Sequence, residues 1–308
     1  GGTGVIAQSF GDLTVGASSH ATCSSHVRAV GAGGQVAPAG GSQNVIDYFT
    51  ISTFGNATDF GDLTVARASH DALASPTRGI YAGGFVGPNT FKNEIDYITI
   101  ASTGNAADFG DLDTNRRYLG SGSNQTKGLF AGGQVPGNTS VMAHITIATT
   151  GNAVDFGDLT ASKQAQAVSN QVHMYVGGGS NTNSIDKVSF TNLANSIDFG
   201  DLTKTFNVHM AASDGHGGLN DSNYIGIQRP SVTYMTGSGR AVIHVNNGDY
   251  DFFNINTQGT TANFADQRVS HSSAAGCSSS TRGVTTCERT SGSLGGDGTG
   301  KNMEYVTL

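Results

Sequence analysis

The sequence predicts an all-β propeller of six blades, on three observations: a mark FGDL that returns at near-constant spacing, a fixed order of segments between marks, and termini that complete one another. FGDL begins at Phe10, Phe60, Phe109, Phe156 and Phe199, with a degenerate FADQ at Phe264, giving intervals of 50, 49, 47, 43 and 65 residues. Self-similarity at such a period is the signature of stacked supersecondary units. Six marks imply six units.

Between marks the same order recurs. A polar segment leads to an apolar run ending in paired glycines, then a variable loop, an alternating strand and a turn into the next mark. The glycine pairs are Gly33-Gly34, Gly83-Gly84, Gly132-Gly133 and Gly177-Gly178, with Gly295-Gly296 as a candidate in the last unit. The alternating strands fall at 46–51, 95–100, 144–147, 185–190, 250–255 and 303–307. Each unit therefore supplies about four short strands, too few to bury both faces alone. Four-stranded units at a period of about 40 to 50 residues indicate propeller blades. A parallel β-helix is the main competitor, with shorter coils.

The last unit stops after its alternating strand at Leu308, where a turn and FGDL should follow. That piece stands at the other end, where residues 1–13 match residues 101–112. The N-terminal strand is thus expected to complete the C-terminal blade and close the ring, removing the edge of an open sheet. The whole chain reads as one domain, with 1–14 as closing strand and approximate blades at 15–63, 64–112, 113–159, 160–202, 203–267 and 268–308. The fifth carries about 17 extra residues, and Gly217-Gly218 with residues 223–227 faintly echo a repeat. Six blades are preferred, seven the alternative.

Composition agrees with a turn-rich β protein. Charged residues are 13% of 308, Gly contributes 45 and Trp is absent. A net charge of -7 with 16 Lys and Arg argues against a nucleic-acid footprint, which needs clustered cations. No apolar run approaches the roughly 18 residues of a bilayer span, so no membrane insertion is expected. Cys23, Cys277 and Cys287 form no zinc spacing, and their redox state stays open.

The order R-x-x-H, apolar-x-GG, a D-Y strand and aromatic-x-x-L, as in Arg67 to His70, Tyr81 to Gly84, Asp96-Tyr97 and Phe109 to Leu112, resembles the kelch repeat over nearly the whole chain. It departs from that pattern in placing Phe of FGDL where kelch repeats carry tryptophan. Units of the form IDYITIASTGNAADFGDLT also look like Gly- and Ser-rich repeats of virion structural proteins of marine bacteriophages, including cyanophages. That resemblance implies a virion or extracellular setting, a surface or fibre protein without chemistry of its own, and partners among other virion proteins, host surface proteins or glycans.

The pairs Phe10 and Leu13, Phe60 and Leu63, Phe109 and Leu112, Phe156 and Leu159, and Phe199 and Leu202 read as core wedges between blades. The acids of DFGD suggest calcium, but no dense oxygen loop surrounds them, so they read as turn residues whose carboxylates accept backbone N–H bonds. Residues 295–301, GGDGTGK, mimic a P-loop, yet Asn302 replaces the magnesium-binding hydroxyl and no helix follows. His20, His70, His209 and His271 fall at similar blade positions, which favours a structural role over a metal centre, with a funnel of imidazoles near the axis as the other reading. No cofactor or metal is expected, and no enzyme signature can be assembled.

Arg67, Arg116 and Lys163 occupy equivalent positions after successive FGDL marks, and Arg268 follows FADQ. Two readings stand side by side: the four converge at one mouth of the channel as a basic ring for carboxylates or an acidic partner, or they are solvated or pair with the repeated aspartates. The functional expectation is a non-enzymatic attachment module. A glycan-binding lectin is the alternative, and a propeller hydrolase or oxidase the alternative of another class.

Overall fold

The computed structural model describes residues 5–6, 8–25, 27–36, 41–87, 90–179, 182–205, 211–213, 240–245, 249–254, 259–266, 275–278, 282–286 and 302–307. Among them there are strands and turns but no helix, and the strands form six blades in a ring, a β-propeller. The second blade shows the unit: inner strand Asp71–Ala74, second strand Arg78–Ala82, third strand Glu94–Thr99 and outer strand Ala107–Asp111, all antiparallel. The first blade repeats it with Ala21–Ser24, Arg28–Ala32, Val45–Thr50 and Thr58–Asp62. The third uses Gly120–Ser123, Lys127–Ala131, Val141–Thr146 and Val154–Asp158, and the fourth Gln166–Ser169, His173–Gly177, Ser184–Ser189 and Ile197–Asp201. The fifth comprises Ala211–Ser213, Arg240–Val245, Asp249–Asn254 and Ala262–Asp266.

In the sixth blade Ala275–Ser278, Arg282–Thr286 and Asn302–Thr307 are followed in the sheet by Gln8–Asp12, which pairs antiparallel with Asn302–Thr307. Just before it, Val5–Ile6 lies parallel to the outer strand of the fifth blade. Inner strands of successive blades touch in order, and that of the sixth touches that of the first. Residues 217–227, the faint seventh echo, and Gly295-Gly296 lie outside the described residues.

Blades are joined at the rim by one device that explains FGDL. Gly104 and Ala106 of the turn before one outer strand donate their N–H groups to Phe60 O and Asp62 O of the preceding blade, both at 2.8 Å. Asn105 Oδ1 accepts the Asp62 N–H at 3.1 Å. The same bonds link Gly55, Asn56 and Ala57 to Phe10 and Asp12, and Gly151, Asn152 and Ala153 to Phe109 and Asp111. FGD is therefore the end of an outer strand rather than a turn, and it is the backbone of its Asp that is used here. Its glycine is demanded by close approach: Gly61 has φ +149°, and a Cβ there would meet Gly104 O at 2.5 Å.

A second device crosses the same seams. In four blades the cation opening the second strand reaches the residue just after the third strand of the next blade: Arg28 to Ile100 O at 2.8 Å, Arg78 to Ile147 O at 2.9 Å, Lys127 to Phe190 O at 3.0 Å and Arg282 to Ile51 O at 2.9 Å. Arg28, Arg78 and Arg282 also cover the rings of Tyr48, Tyr97 and Tyr305 at 4.2, 4.7 and 4.7 Å. Each Arg thus links a ring in its own blade to the backbone of the next.

The core lies between blades. Leu73, Ile80 and Ile95 of the second blade pack with Leu119, Phe130 and Ile145 of the third, and Phe109 and Leu112 close that seam. Phe10, Leu13, Phe60, Leu63, Leu159, Phe199 and Leu202 are likewise buried, while Phe156 is half-buried against its cluster. The third strands of the first five blades end one residue earlier than the alternation suggests, that of the sixth ends at Thr307 as expected, and that of the third blade begins at Val141 rather than His144. In the fourth blade Gly177 belongs to the strand, and the positive-φ pair is Gly178 and Gly179.

Candidate functional site

Arg67, Arg116 and Lys163 do not form an open basic ring: all three side chains are fully buried. Each runs from the segment after FGDL back into its own blade. Arg67 Nη1 pairs with Asp96 at 3.1 Å, and its Nη2 donates to Tyr81 O at 3.1 Å. Lys163 Nζ pairs with Asp186 and donates to Ser184 Oγ and Ser184 O at 3.1 and 3.3 Å. Arg116 pairs with Asp113 at 2.8 Å and donates to Val141 O at 2.9 Å and Gly132 O at 3.3 Å. Pairing with a repeated aspartate, the other sequence reading, describes Arg67 and Lys163, whereas Arg116 takes an acid peculiar to its own blade, and Arg268 lies outside the described residues. A surface reading fails because the segment folds under the loop that follows the glycine pair, where only a paired charge is tolerated.

The acid of the third strand is the hub of this network. Asp96 accepts from Thr64 N at 3.2 Å and Thr64 Oγ1 at 2.6 Å, and Asp47 from Thr14 N at 3.1 Å and Thr14 Oγ1 at 2.6 Å. Burial pushes the Asp186 carboxyl up, but the Lys163 ammonium and hydrogen bonds from Lys163, Thr160 and Ser196 bring it below the usual range. Asp47 has no such cation, since Ala17 stands where Arg67 stands in the next blade, and burial holds its carboxyl above the usual range.

The axis holds a second polar cluster. A cavity of about 60 Å³ is lined by His20, His70, Asp71, Ser121, Gln166 and Ala275, contributed by five blades. It has room for a few waters but not for a sugar ring or nucleotide, whose pockets run to roughly 300 Å³ and above. Burial pushes the Asp71 carboxyl up to about 7, against hydrogen bonds from Ala72 N and Ser121 N at 2.9 and 2.7 Å. Burial lowers His20 to about 4 and His70 well below the ordinary imidazole value, so both rings are neutral at pH 7. His20 Nε2 lies 2.5 Å from Thr286 Oγ1 of the sixth blade, an inter-blade bond of the kind expected for this position. His209 and His271 lie outside the described residues, as do Cys287 and residues 295–301. Among the described residues no group of His, Cys, Asp and Glu is placed to hold a metal ion.

The partly exposed cluster with binding character sits on the face that carries the loops after the glycine pairs. There the Arg117 guanidinium lies 4.9 Å from the Phe85 ring, 5.0 Å from Phe91 and 4.8 Å from Tyr118, at the seam of the second and third blades. Its Nε donates to Gln134 Oε1 at 2.9 Å. Arg117, Phe91 and Tyr118 are half-buried, leaving part of each to solvent. No periodic sign of this cluster is legible in the repeats because Arg117 and Phe91 break them. The available signal was that departure: Arg117 replaces Ala68 and Ser18 of the preceding blades.

Neither a protein-family model nor a curated protein matches this sequence.

Proposed function

We propose that this propeller is a non-enzymatic attachment module whose loop face docks a partner surface. The observation that carries the reading is the Arg117 cluster. Residues common to the repeats are spent on joining strands and blades, whereas the loops after the glycine pairs, 35–44, 85–93, 134–140 and 180–183, differ in length and sequence. A guanidinium among three rings on such a face has the composition of a binding hot spot, which favours Arg and Tyr anchors.

The setting that the resemblance to marine bacteriophage repeats supports is a virion surface or fibre protein, with other virion proteins or a host surface protein or glycan as partners. The kelch-like order of the repeats supports the same use of loops. A lectin is the second reading, favoured by the same rings, since aromatic faces and Arg also receive sugars. Labelling the chain in purified particles tests the first reading: signal at the particle surface supports it, and absence from particles removes the virion setting. A glycan array separates the lectin, which should give saturable sugar binding lost in Phe91→Ala.

A further inference from the structure

The first blade keeps the slot that its neighbours fill with a cation, but supplies no cation of its own. Register fixes the correspondence: Gly31 faces Asp47 as Val176 faces Asp186 and Tyr81 faces Asp96. In the fourth blade Lys163 Nζ sits among Asp186, Val176 O at 3.5 Å and Ser184 O at 3.3 Å. The first blade presents Asp47 and the carbonyls of Gly31 and Val45 at those places, and Ala17 cannot reach them. A cavity of about 10 Å³ remains, lined by Ala17, His20, Gly31, Gln43, Val45 and Asp47. That is room for one small occupant.

A second observation fixes the polarity of this cavity. Thr286 Oγ1 donates its hydrogen to Ala275 O at 3.2 Å, so in its 2.5 Å contact with His20 it must accept, and His20 Nε2 carries the ring proton. His20 Nδ1 is then a lone-pair acceptor, buried and without a hydrogen-bond partner among the described residues. Gln43 Nε2 covers Gly33 O at 3.1 Å, the counterpart of the Gly132 carbonyl that Arg116 takes. What is left along the cavity wall is a carboxylate and two backbone carbonyls beside a neutral imidazole. Such a set calls for a positively charged donor.

We infer that the first blade binds a small ammonium-class cation in this slot, held by Asp47 and the Gly31 and Val45 carbonyls in the manner of the Lys163 ammonium. The raised Asp47 carboxyl, against the lowered Asp186, is the expected mark of a slot without its cation. The inference stands apart from what the loop face binds.

Thermal unfolding at constant ionic strength, in ammonium, methylammonium or tetramethylammonium chloride, tests it. A site that binds only the folded chain raises Tm with ligand concentration. The expected result is a saturable rise of a few degrees in ammonium and methylammonium but not in tetramethylammonium, which is too large. Ala17→Lys, which gives the blade its own ammonium as in the fourth blade, should abolish the rise, and Asp47→Asn should do the same. Equal Tm in all three salts, as for a slot holding only water, overturns the inference. So does a rise that persists in Ala17→Lys, a variant whose sibling arrangement already folds in this chain.

Discussion

Arg116 Nη2 lies 2.8 Å from Asp113 Oδ1, three residues away, although the corresponding cations of the neighbouring blades pair across strands with Asp96 and Asp186. Ala143 is the reason. It faces Phe130 as Asp96 faces Tyr81, so the third blade has no acid on its third strand. Asp113 replaces the Thr of FGDLT and restores the missing charge. The carboxylate has moved, and the buried cation has kept a partner.

Removing one partner of a buried pair leaves an uncompensated charge and typically costs about 3 to 5 kcal/mol. Because Asp113 is itself exposed, Asp113→Thr should destabilise by less than that, about 1 to 2 kcal/mol, in denaturant unfolding. Adding Ala143→Asp recreates the arrangement of the second blade and should recover most of the loss. A neutral Asp113→Thr, or a double variant no better than the single, would show that the pair is not what holds Arg116.

The pairing of Gln8–Asp12 with Asn302–Thr307 makes the N-terminus the outer strand of the sixth blade. Phe10 packs with Phe49 of the first blade at 5.3 Å between ring centres and with Tyr305 at 6.5 Å. Deleting residues 1–14 should expose the edge of Asn302–Thr307, lower stability by several kcal/mol and promote aggregation. An unchanged Tm would mean that the ring does not depend on this strand.

Gly83 has φ +69°, and a Cβ there would stand 2.6 Å from Arg116 O. That carbonyl is already bonded to Gly84 N at 2.8 Å, so the approach cannot relax. Gly83→Val should sharply reduce folded yield, as should Gly132→Val, where Lys163 O is 2.6 Å away. Well-folded variants lacking only attachment would instead make the glycine pairs ligand contacts.

Asp71 gives a pH signature of definite sign. Its folded carboxyl is raised from 3.8 to about 7 by burial, so folding favours the protonated form. The benefit is full below the unfolded pKa and is lost as pH rises from about 4 through about 7. His20, lowered to about 4, has the opposite sign over part of this window, so the two must be separated. Asp71→Asn should remove the falling component, making the stability difference between variant and wild type grow with pH from about 4 to about 7. A difference that is flat with pH would place Asp71 in ordinary solvent.

The fold was legible because its devices repeat. FGDL, the glycine pairs and the D-Y strands recur because every seam poses the same packing problem, and Phe60, Gly83 and Asp96 answer it identically. The candidate site was much less so. Position in the repeat indicated that Arg67, Arg116 and Lys163 matter, but not that the chain turns them inward, because partners such as Asp96 lie about thirty residues on. The Arg117 cluster was hidden for the opposite reason: it depends on Phe85, Phe91 and Tyr118, which share no motif and meet only when two blades close.

The division between a repeated scaffold and a binding loop face is tested most directly by competition. In the proposed virion setting, purified chain is added to host cells before challenge with the particles, and attached particles are counted. Wild type should block attachment in a saturable way, while Phe91→Ala with Arg117→Ala should block at least tenfold less at equal concentration, with a Tm within a few degrees of wild type. Equal blocking by the two proteins, or no blocking by wild type, would contradict the account.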